Sequence, residues 1–312
     1  MSIVRVAVAI LQRPDGQVLM ADRPAGKPWE GWWEFPGGKI EAGETPHHAL
    51  VRELYEELGV KVEKAYPWLV RRFEYPDRHV ELHFFIVREW QNEPHGCEGQ
   101  RLSWQSPSAL TVQPVLPANE PILAALNLPP VYAISNAAEL GKQGFLDSLK
   151  RALDQGLRLL QLREKQLSLD DLRRLAEQVI AISEPYHARV LLNGDIATAR
   201  EWGFAGVHLS SDKLMTLSER PQDMLCAASC HDAGQLVHAQ SLGLDFAVLS
   251  PVLPTLSHPG APVLGWDGFA GLAQGSSLPV YALGGMQQAY IEQAWQHGAH
   301  GVAMMRGIWA QA

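Results

Sequence analysis

The sequence predicts an α/β protein of two domains, on three observations. Its 312 residues are about twice the ~150 that one domain typically takes. A compact breaker, Asn127-Leu128-Pro129-Pro130, separates two different textures. Before it, period-2 strands surround one strong helix; after it, short apolar strands alternate with helix-length segments. The predicted domains are residues 1–128 and 129–312.

Composition narrows the class. Apolar residues make up 46% of the chain, so each half can bury a core. The net charge is −8, and each half carries thirteen Lys or Arg against seventeen Asp or Glu, so averaging hides no basic domain. That argues against duplex nucleic acid or an anionic membrane as partner, and leaves room for a small anionic ligand held by a few placed cations and amides. Cys97, Cys226 and Cys230 form no CxxC pair, which predicts a reducing, cytoplasmic setting. The opening MSIVRVAVAILQRP lacks the order of a signal peptide. The stretch without Asp, Glu, Lys or Arg at residues 246–266 carries Pro251, Pro254, Pro259 and Pro262, which rules it out as a membrane helix.

In the first domain, residues 5–11 (RVAVAIL) and 17–21 read as strands joined by the turn Pro14-Asp15-Gly16. Residues 45–58 read as a helix, with Thr45 as N-cap, Pro46 in its first turn and Gly59 just beyond its end. A strand follows at 80–87 and a short helix at 119–126. In the second domain the strands are VYAIS (131–135), LLQLREK (159–165), RVLLN (189–193), GVHLS (206–210), LCAAS (225–229), FAVLS (246–250), PVYALG (279–284) and GVAMM (301–305). Eight strands with helical text between them have the rhythm of a (β/α)8 barrel, the TIM barrel, with at most a stub for the eighth helix.

The chemistry concentrates at residues 38–60, GKIEAGETPHHALVRELYEELGV, which fit G-x5-E-x7-R-E-U-x-E-E-x-G-U at Gly38, Glu44, Arg52, Glu53, Leu54, Glu56, Glu57, Gly59 and Val60. On a helix, Glu53, Glu56 and Glu57 lie at i, i+3 and i+4, so three carboxylates crowd one face. Like charges at that spacing repel unless a cation sits between them. A hard divalent ion, Mg²⁺ or in its place Mn²⁺, takes such oxygens and leaves positions for water and substrate phosphates. The opposite face (Ala49, Leu50, Leu54, Leu58) is apolar and suited to pack on a sheet. The glycine-rich loop Pro36-Gly37-Gly38 lets backbone approach phosphate or metal.

This run resembles the Nudix box. Residues 1–128 resemble the MutT-type 8-oxo-dGTP diphosphatases nearly end to end, in EFPGGKIEAGETP, YPDRHVEL (75–82), EPHGCEGQ (93–100) and PANEPI (117–122). The resemblance implies a Nudix α/β/α sandwich with a mixed sheet. It implies the Gly37 carbonyl, Glu53, Glu56 and Glu57 as metal ligands, and Glu98 as a further acidic group beside the catalytic glutamates. Arg23, Glu34, Phe35, Gly37, Gly38, Arg78 and Asn119 match positions that contact the nucleotide. Each has a plainer alternative: Phe35 as core, Arg78 as a surface ion pair, Asn119 as cap of the helix that follows. His79 and His83, roughly 13 Å apart on one strand face, are ordinary strand residues rather than zinc ligands.

The second domain resembles the thiamine-phosphate synthase/TenI group in QLREK (161–165), LLNG (191–194), GVHLS (206–210), Ser229-Cys230-His231, PVYALGGM (279–286) and GVAMMRGI (301–308). It also departs from that group. Gly194 stands where synthases place a metal-binding Asp, Lys213 where a second is expected, and Pro251 where the TenI tautomerases carry a histidine. What persists is phosphate-type furniture: Gly284, Gly285 and Arg306 after the last strands, with Gln161, Arg163 and Lys165.

The resemblances together imply a Mg²⁺-dependent enzyme that converts 8-oxo-dGTP, and 8-oxo-GTP, to the monophosphate and pyrophosphate, sanitising the nucleotide pool, with a catalytically degenerate barrel that binds a phosphorylated thiamine-pathway ligand or builds an oligomer. The rival readings are Nudix hydrolysis of a thiamine-related pyrophosphate, an active synthase barrel, and a barrel serving as ligand sensor or scaffold.

Overall fold

A computed structural model of the chain describes residues 3–75, 78–256, 260 and 262–309, with Tyr75 and Arg78 as backbone alone. The chain divides into two compact units, residues 1–128 and 129–312, with the short segment Gln274–Ser277 grouped with the first.

The first unit contains β1 (Ile3–Leu11), β2 (Val18–Asp22), β3 (Trp33–Glu34), β4 (Gly37–Lys39), α1 (Pro46–Leu58), β5 (Lys61–Tyr75), β6 (Arg78–Gln91), β7 (Leu102–Gln105) and α2 (Glu120–Leu126). The main sheet runs β4-β1-β6-β5 and is mixed: β1 is parallel to β6 and antiparallel to β4. A smaller antiparallel sheet runs β3-β2-β7. Both faces of β1 are covered, which its period of two makes possible. Ala7, Ala9 and Leu11 share one core with Ala49, Leu50, Leu54 and Leu58 of α1. Val8 and Ile10 share the other with Phe84, Ile86 and, from α2, Ile122 and Leu123. The result is the expected α/β/α sandwich.

Local chemistry places α1 where the sequence predicts it. Thr45 Oγ1 accepts from the His48 amide (3.2 Å), Pro46 opens the helix, and Gly59 closes it with φ 64°. The four predicted apolar residues are fully buried, each leucine stabilising the fold by roughly 1.5–3 kcal/mol.

Two expectations need correction. Residues 36–38 are not simply a loop, because Gly37–Lys39 is an edge strand paired to β1 through Ala7↔Gly38 and Val8↔Gly37. A β-carbon on Gly37 would sit 2.1 Å from the Ala7 carbonyl oxygen, so the pairing needs glycine there. The fifteen-residue β5 was not anticipated: Pro67 and its charges blur the alternation, and register shifts at 62–65 and 67–70 break the period. It lies at the sheet edge, where proline and bulges are tolerated.

The second unit is a closed parallel barrel of β8 (Val131–Ile134), β9 (Leu159–Leu162), β10 (Arg189–Asn193), β11 (Gly206–Leu209), β12 (Leu225–Cys230), β13 (Phe246–Leu249), β14 (Val280–Ala282) and β15 (Gly301–Met304), with β15 returning to β8. The eight predicted strands are present, several shorter than the apolar runs suggested. Helices α3 (Ala137–Leu140), α4 (Lys142–Asp154), α5 (Leu169–Ser183), α6 (Ile196–Glu201), α7 (Ser211–Thr216), α8 (Ala233–Ser241), α9 (Gly265–Ala273) and α10 (Ile291–Gln296) connect them. Ala133, Leu160, Leu162 and Val207 pack with the helices, while their neighbours fill the barrel. Tyr132, Phe246 and Tyr281 form an edge-packed ring cluster, with centroids 5.1 Å apart for Tyr132–Phe246 and 5.2 Å for Phe246–Tyr281. The barrel interior is therefore a packed core. Among the described residues no helix is long and apolar enough to cross a membrane.

Candidate active site

The first unit holds a cavity of ≈ 340 Å³ lined by residues from β1, β3, β4, α1 and the loops before β3 and β7 and at Asn119. Of the predicted residues, Arg23, Glu34, Phe35, Gly37, Gly38, Glu57, Glu98 and Asn119 line it. The fold therefore gathers into one place positions that are up to 96 residues apart in sequence (23 and 119). Arg78 begins β6, but its side chain lies outside the described residues.

The three helical glutamates have separate surroundings. Glu57 points into the cavity, its Oε2 3.4 Å from the Gly37 amide. Burial pushes its carboxyl up to about 7, and the Glu53 and Glu98 charges add to this. Glu53 lies behind Gly38, and a β-carbon at 38 would meet its carboxylate carbon at 2.0 Å. Glu56 is largely exposed, and Arg52 reaches both it and Glu53, at 3.3 and 2.7 Å. The same guanidinium grips Glu44 with two hydrogen bonds (2.9 and 3.1 Å) and donates to the Lys39 carbonyl (3.0 Å). Arg52 thus offsets the repulsion between Glu53 and Glu56.

Among the described residues no three carboxylate, imidazole or thiol side chains converge to hold a metal ion. The donor set still fits a hard cation. It comprises three carboxylates on one helix turn and a backbone carbonyl on the facing strand, all oxygen, with the missing β-carbon of Gly38 making room for Glu53.

The part of the cavity around Arg23, Glu34 and Asn119 is built differently. Arg23 Nη1 donates to Glu34 Oε2 at 2.9 Å. Burial pushes the Glu34 carboxyl up, while Arg23 draws it down. Phe35 is both core and cavity wall. Asn119 decides more sharply. It sits at the N-cap position of α2 yet makes no capping hydrogen bond. It is 5% exposed, and its Nδ2 finds no hydrogen-bond partner among the described residues. A buried amide donor without a partner costs roughly 1–3 kcal/mol, so the capping explanation does not account for it.

Sequence reasoning missed Lys27, Trp29 and Gln100, which also line the cavity. Gln100 holds the Glu98 loop: its Nε2 donates to the Glu57 carbonyl (2.9 Å) and its Oε1 accepts from the Glu98 amide (2.8 Å). Lys27 and Trp29 lie in PAGKPWEGW, whose turn residues signalled only a connection. His83 pairs with Glu81 (3.0 Å) as an ordinary strand residue.

In the barrel, several of the predicted phosphate residues are already engaged or packed. Gln161 is buried and donates to the Tyr132 hydroxyl (3.1 Å). The Arg163 amide donates to Ser135 Oγ (2.8 Å), and Lys165 is exposed. Arg306 is bound by the Glu139 carboxylate through Nε and Nη2. A β-carbon on Gly284 would meet Pro251 at 2.9 Å, and one on Gly285 the Pro254 carbonyl oxygen at 2.8 Å. These glycines therefore serve the close approach of the loop after β13, a packing role the sequence reading did not include. Asp195 is the N-cap of α6, accepting from both the amide and hydroxyl of Thr198 (2.9 Å each).

A carboxylate-bearing helix behind a glycine strand, on a mixed sheet covered on both faces, defines a Nudix hydrolase. The Nudix domain family matches residues 1–126, and the family described as thiamine monophosphate synthase matches residues 131–308. An 8-oxo-dGTP diphosphatase of Escherichia coli K12 is 41% identical over 123 residues, covering 39% of this chain and 95% of that protein. A CTP pyrophosphohydrolase of the same organism is 38% identical over 125 residues, covering 40% of this chain and 92% of its own length. A putative thiamine-phosphate synthase 2 of Aquifex aeolicus is 35% identical over 182 residues, covering 57% of this chain and 96% of that protein. The chain belongs to both families, Nudix in its N-terminal part and thiamine monophosphate synthase in its C-terminal part.

Proposed function

We propose that the N-terminal domain hydrolyses 8-oxo-dGTP, and with it 8-oxo-GTP, to the nucleoside monophosphate and pyrophosphate, clearing oxidised nucleotides from the pool. The observation that carries this is the buried Asn119 Nδ2 at the cavity wall, which has no hydrogen-bond partner among the described residues. An amide offers a donor beside an acceptor. The 8-oxoguanine edge answers with the O6 acceptor beside the N7–H donor, whereas guanine has an acceptor at N7. The 38% identical CTP pyrophosphohydrolase makes the base the point to test.

The Gly37 carbonyl, Glu53, Glu56 and Glu57 would hold Mg²⁺ or Mn²⁺, which when bound neutralises phosphate charge and lowers the pKa of water. Arg23, Glu34 and Phe35 shape the nucleoside end, joined in this reading by Arg78. The proton of the attacking water goes to Glu53 or Glu98. Glu44 holds Arg52, and Arg52 keeps Glu53 in place.

The barrel, in the same reading, has lost synthase chemistry and keeps a site for a phosphate ester. Gly194 brings no carboxylate, Lys213 brings a positive charge, and Asp195 is committed to its helix cap.

A turnover screen of the full chain tests the proposal, reading pyrophosphate released from 8-oxo-dGTP, dGTP and CTP and orthophosphate released from thiamine pyrophosphate and oxothiamine pyrophosphate. The expected result is a kcat/KM for 8-oxo-dGTP at least ~100-fold above dGTP, the scale at which a site built for one hydrogen-bonding edge discriminates. A higher value for CTP or a thiamine pyrophosphate overturns it.

A further inference from the structure

The cavity rim facing the carboxylates is the loop at residues 24–32. Its ends are tied: the Arg23 amide donates to the Trp32 carbonyl and the Gly31 amide to the Arg23 carbonyl, both at 2.9 Å. Within the loop, Glu30 spends its carboxylate on the Gly26 amide (3.0 Å), and Trp29 sits in the left-handed region at φ 64°. Lys27 reaches out of this framework to Glu98, with Nζ 2.5 Å from Oε2. Both residues line the cavity, and both side chains are about half exposed, 48% and 44%. The Lys27 charge also acts on Glu34 and Glu57, opposing the upward push of burial on each. One ammonium therefore stands among three carboxylates from three different segments.

The pair is easy to exchange. A half-exposed ion pair is worth ~0–1 kcal/mol, and lysine is a compact charge on a flexible four-carbon stem. A triphosphate presents several negative charges to the same ammonium, and phosphate oxygens accept stronger charge-assisted hydrogen bonds than one partly solvated carboxylate.

We propose that Lys27 is a phosphate-binding residue that serves as counter-ion to Glu98 while no nucleotide is bound, and passes its ammonium to the phosphate chain of the incoming substrate. The exchange releases the Glu98 carboxylate at the moment the substrate arrives. Lys27 thereby couples nucleotide binding to the state of the acidic cluster. This rests on the nucleotide reading of the cavity.

The test uses the full-length chain and two equilibrium titrations without turnover: Mn²⁺ alone, and 8-oxo-dGTP in the presence of EDTA. Lys27→Ala removes a competing positive charge from the acidic cluster, so Mn²⁺ affinity should rise roughly threefold to fivefold, the scale of one exposed charge interaction. The same substitution should weaken 8-oxo-dGTP binding by about tenfold, the scale of one charge-assisted hydrogen bond. Lys27→Arg should stay within about twofold of the wild type in both titrations, because the charge is kept. Opposite signs separate this role from a structural one, since a loop that merely loses its tether lowers both affinities or neither. If wild type and Lys27→Ala bind 8-oxo-dGTP equally, or if both affinities fall together, the proposal is wrong. If the wild-type chain binds no nucleoside triphosphate, the substrate reading fails and this proposal with it.

Discussion

The carboxylate of Glu53 occupies the space a side chain at Gly38 would need: a β-carbon there would lie 2.0 Å from Glu53 Cδ and 2.2 Å from Oε2. The glycine strand and the acidic helix are thus matched at one atom, and a single methyl group tests the match. Gly38→Ala should displace Glu53 and lower kcat by on the order of 10²-fold, the scale seen when a catalytic group shifts by about 1 Å. Helix α1 should survive, because its buried face and caps are elsewhere. Circular dichroism unchanged with turnover lost is the expected pair of readings; near-full turnover would show that Glu53 tolerates the shift.

Glu57→Gln removes a carboxylate whose pKa burial and its acidic neighbours push up to about 7. It should lower kcat by on the order of 10³-fold at saturating Mg²⁺, because charge stabilisation and water activation are lost together. Glu44→Gln should cost much less, since Glu44 acts through Arg52. Steady-state kinetics on the two variants decide the order, and a larger loss for Glu44→Gln would reverse the assignment.

Asn119→Ala should raise KM for 8-oxo-dGTP far more than for dGTP and so shrink the preference. The side chain makes no capping hydrogen bond, so helix α2 should keep its stability, and the thermal midpoint should move little. Equal losses for the two nucleotides would mean that Asn119 carries no base recognition.

The full chain should form no thiamine phosphate from the pyrimidine pyrophosphate and the thiazole phosphate. It should still gain thermal stability with one of these phosphates, through Arg306 and the backbone amides near Gly284 and Gly285. Saturating such a site 100-fold stabilises by about 2.7 kcal/mol, which differential scanning calorimetry resolves. Product above background would restore a synthase; no shift with any of the phosphates would leave the barrel without this ligand class.

Barrel stability should fall with acid in a window set by His208. Burial first, and the nearby Arg163 charge second, push this imidazole down to about 3. It bonds to the Tyr132 hydroxyl through Nδ1 (3.1 Å) and to Ser229 Oγ through Nε2 (2.9 Å). The folded pKa lies below the unfolded one, so the contribution is fully present above pH ~6.5 and is lost as pH falls towards 3, at a slope of up to about 1.4 kcal/mol per pH unit. Denaturant titrations of wild type and His208→Gln between pH 7 and 4 should converge as pH drops. Parallel curves would assign the acid sensitivity elsewhere.

Much of this was legible in the sequence because it is local or periodic. The caps Thr45 and Gly59, the apolar face of α1, the nine-position motif and the eight barrel strands each depend on residues a few positions apart. Strand β5 escaped because an edge strand with a proline and bulges carries no clean period of two. Lys27 escaped because a turn-rich segment says where the chain bends and not what its side chains face.

The sequence by itself determined that there would be a Nudix helix bearing three glutamates and a parallel eight-stranded barrel, because hydrophobic period, capping and residue spacing act within one element. Only the tertiary structure decided which polar groups are already spoken for. Arg52 ties Glu44 to Glu53, Lys27 meets Glu98 from 71 residues away, Glu139 holds Arg306, and the buried Asn119 Nδ2 finds no hydrogen-bond partner among the described residues. Electrostatic and hydrogen-bonding partners are chosen by distance in space, and distance in space is set by how the sheets close rather than by order along the chain.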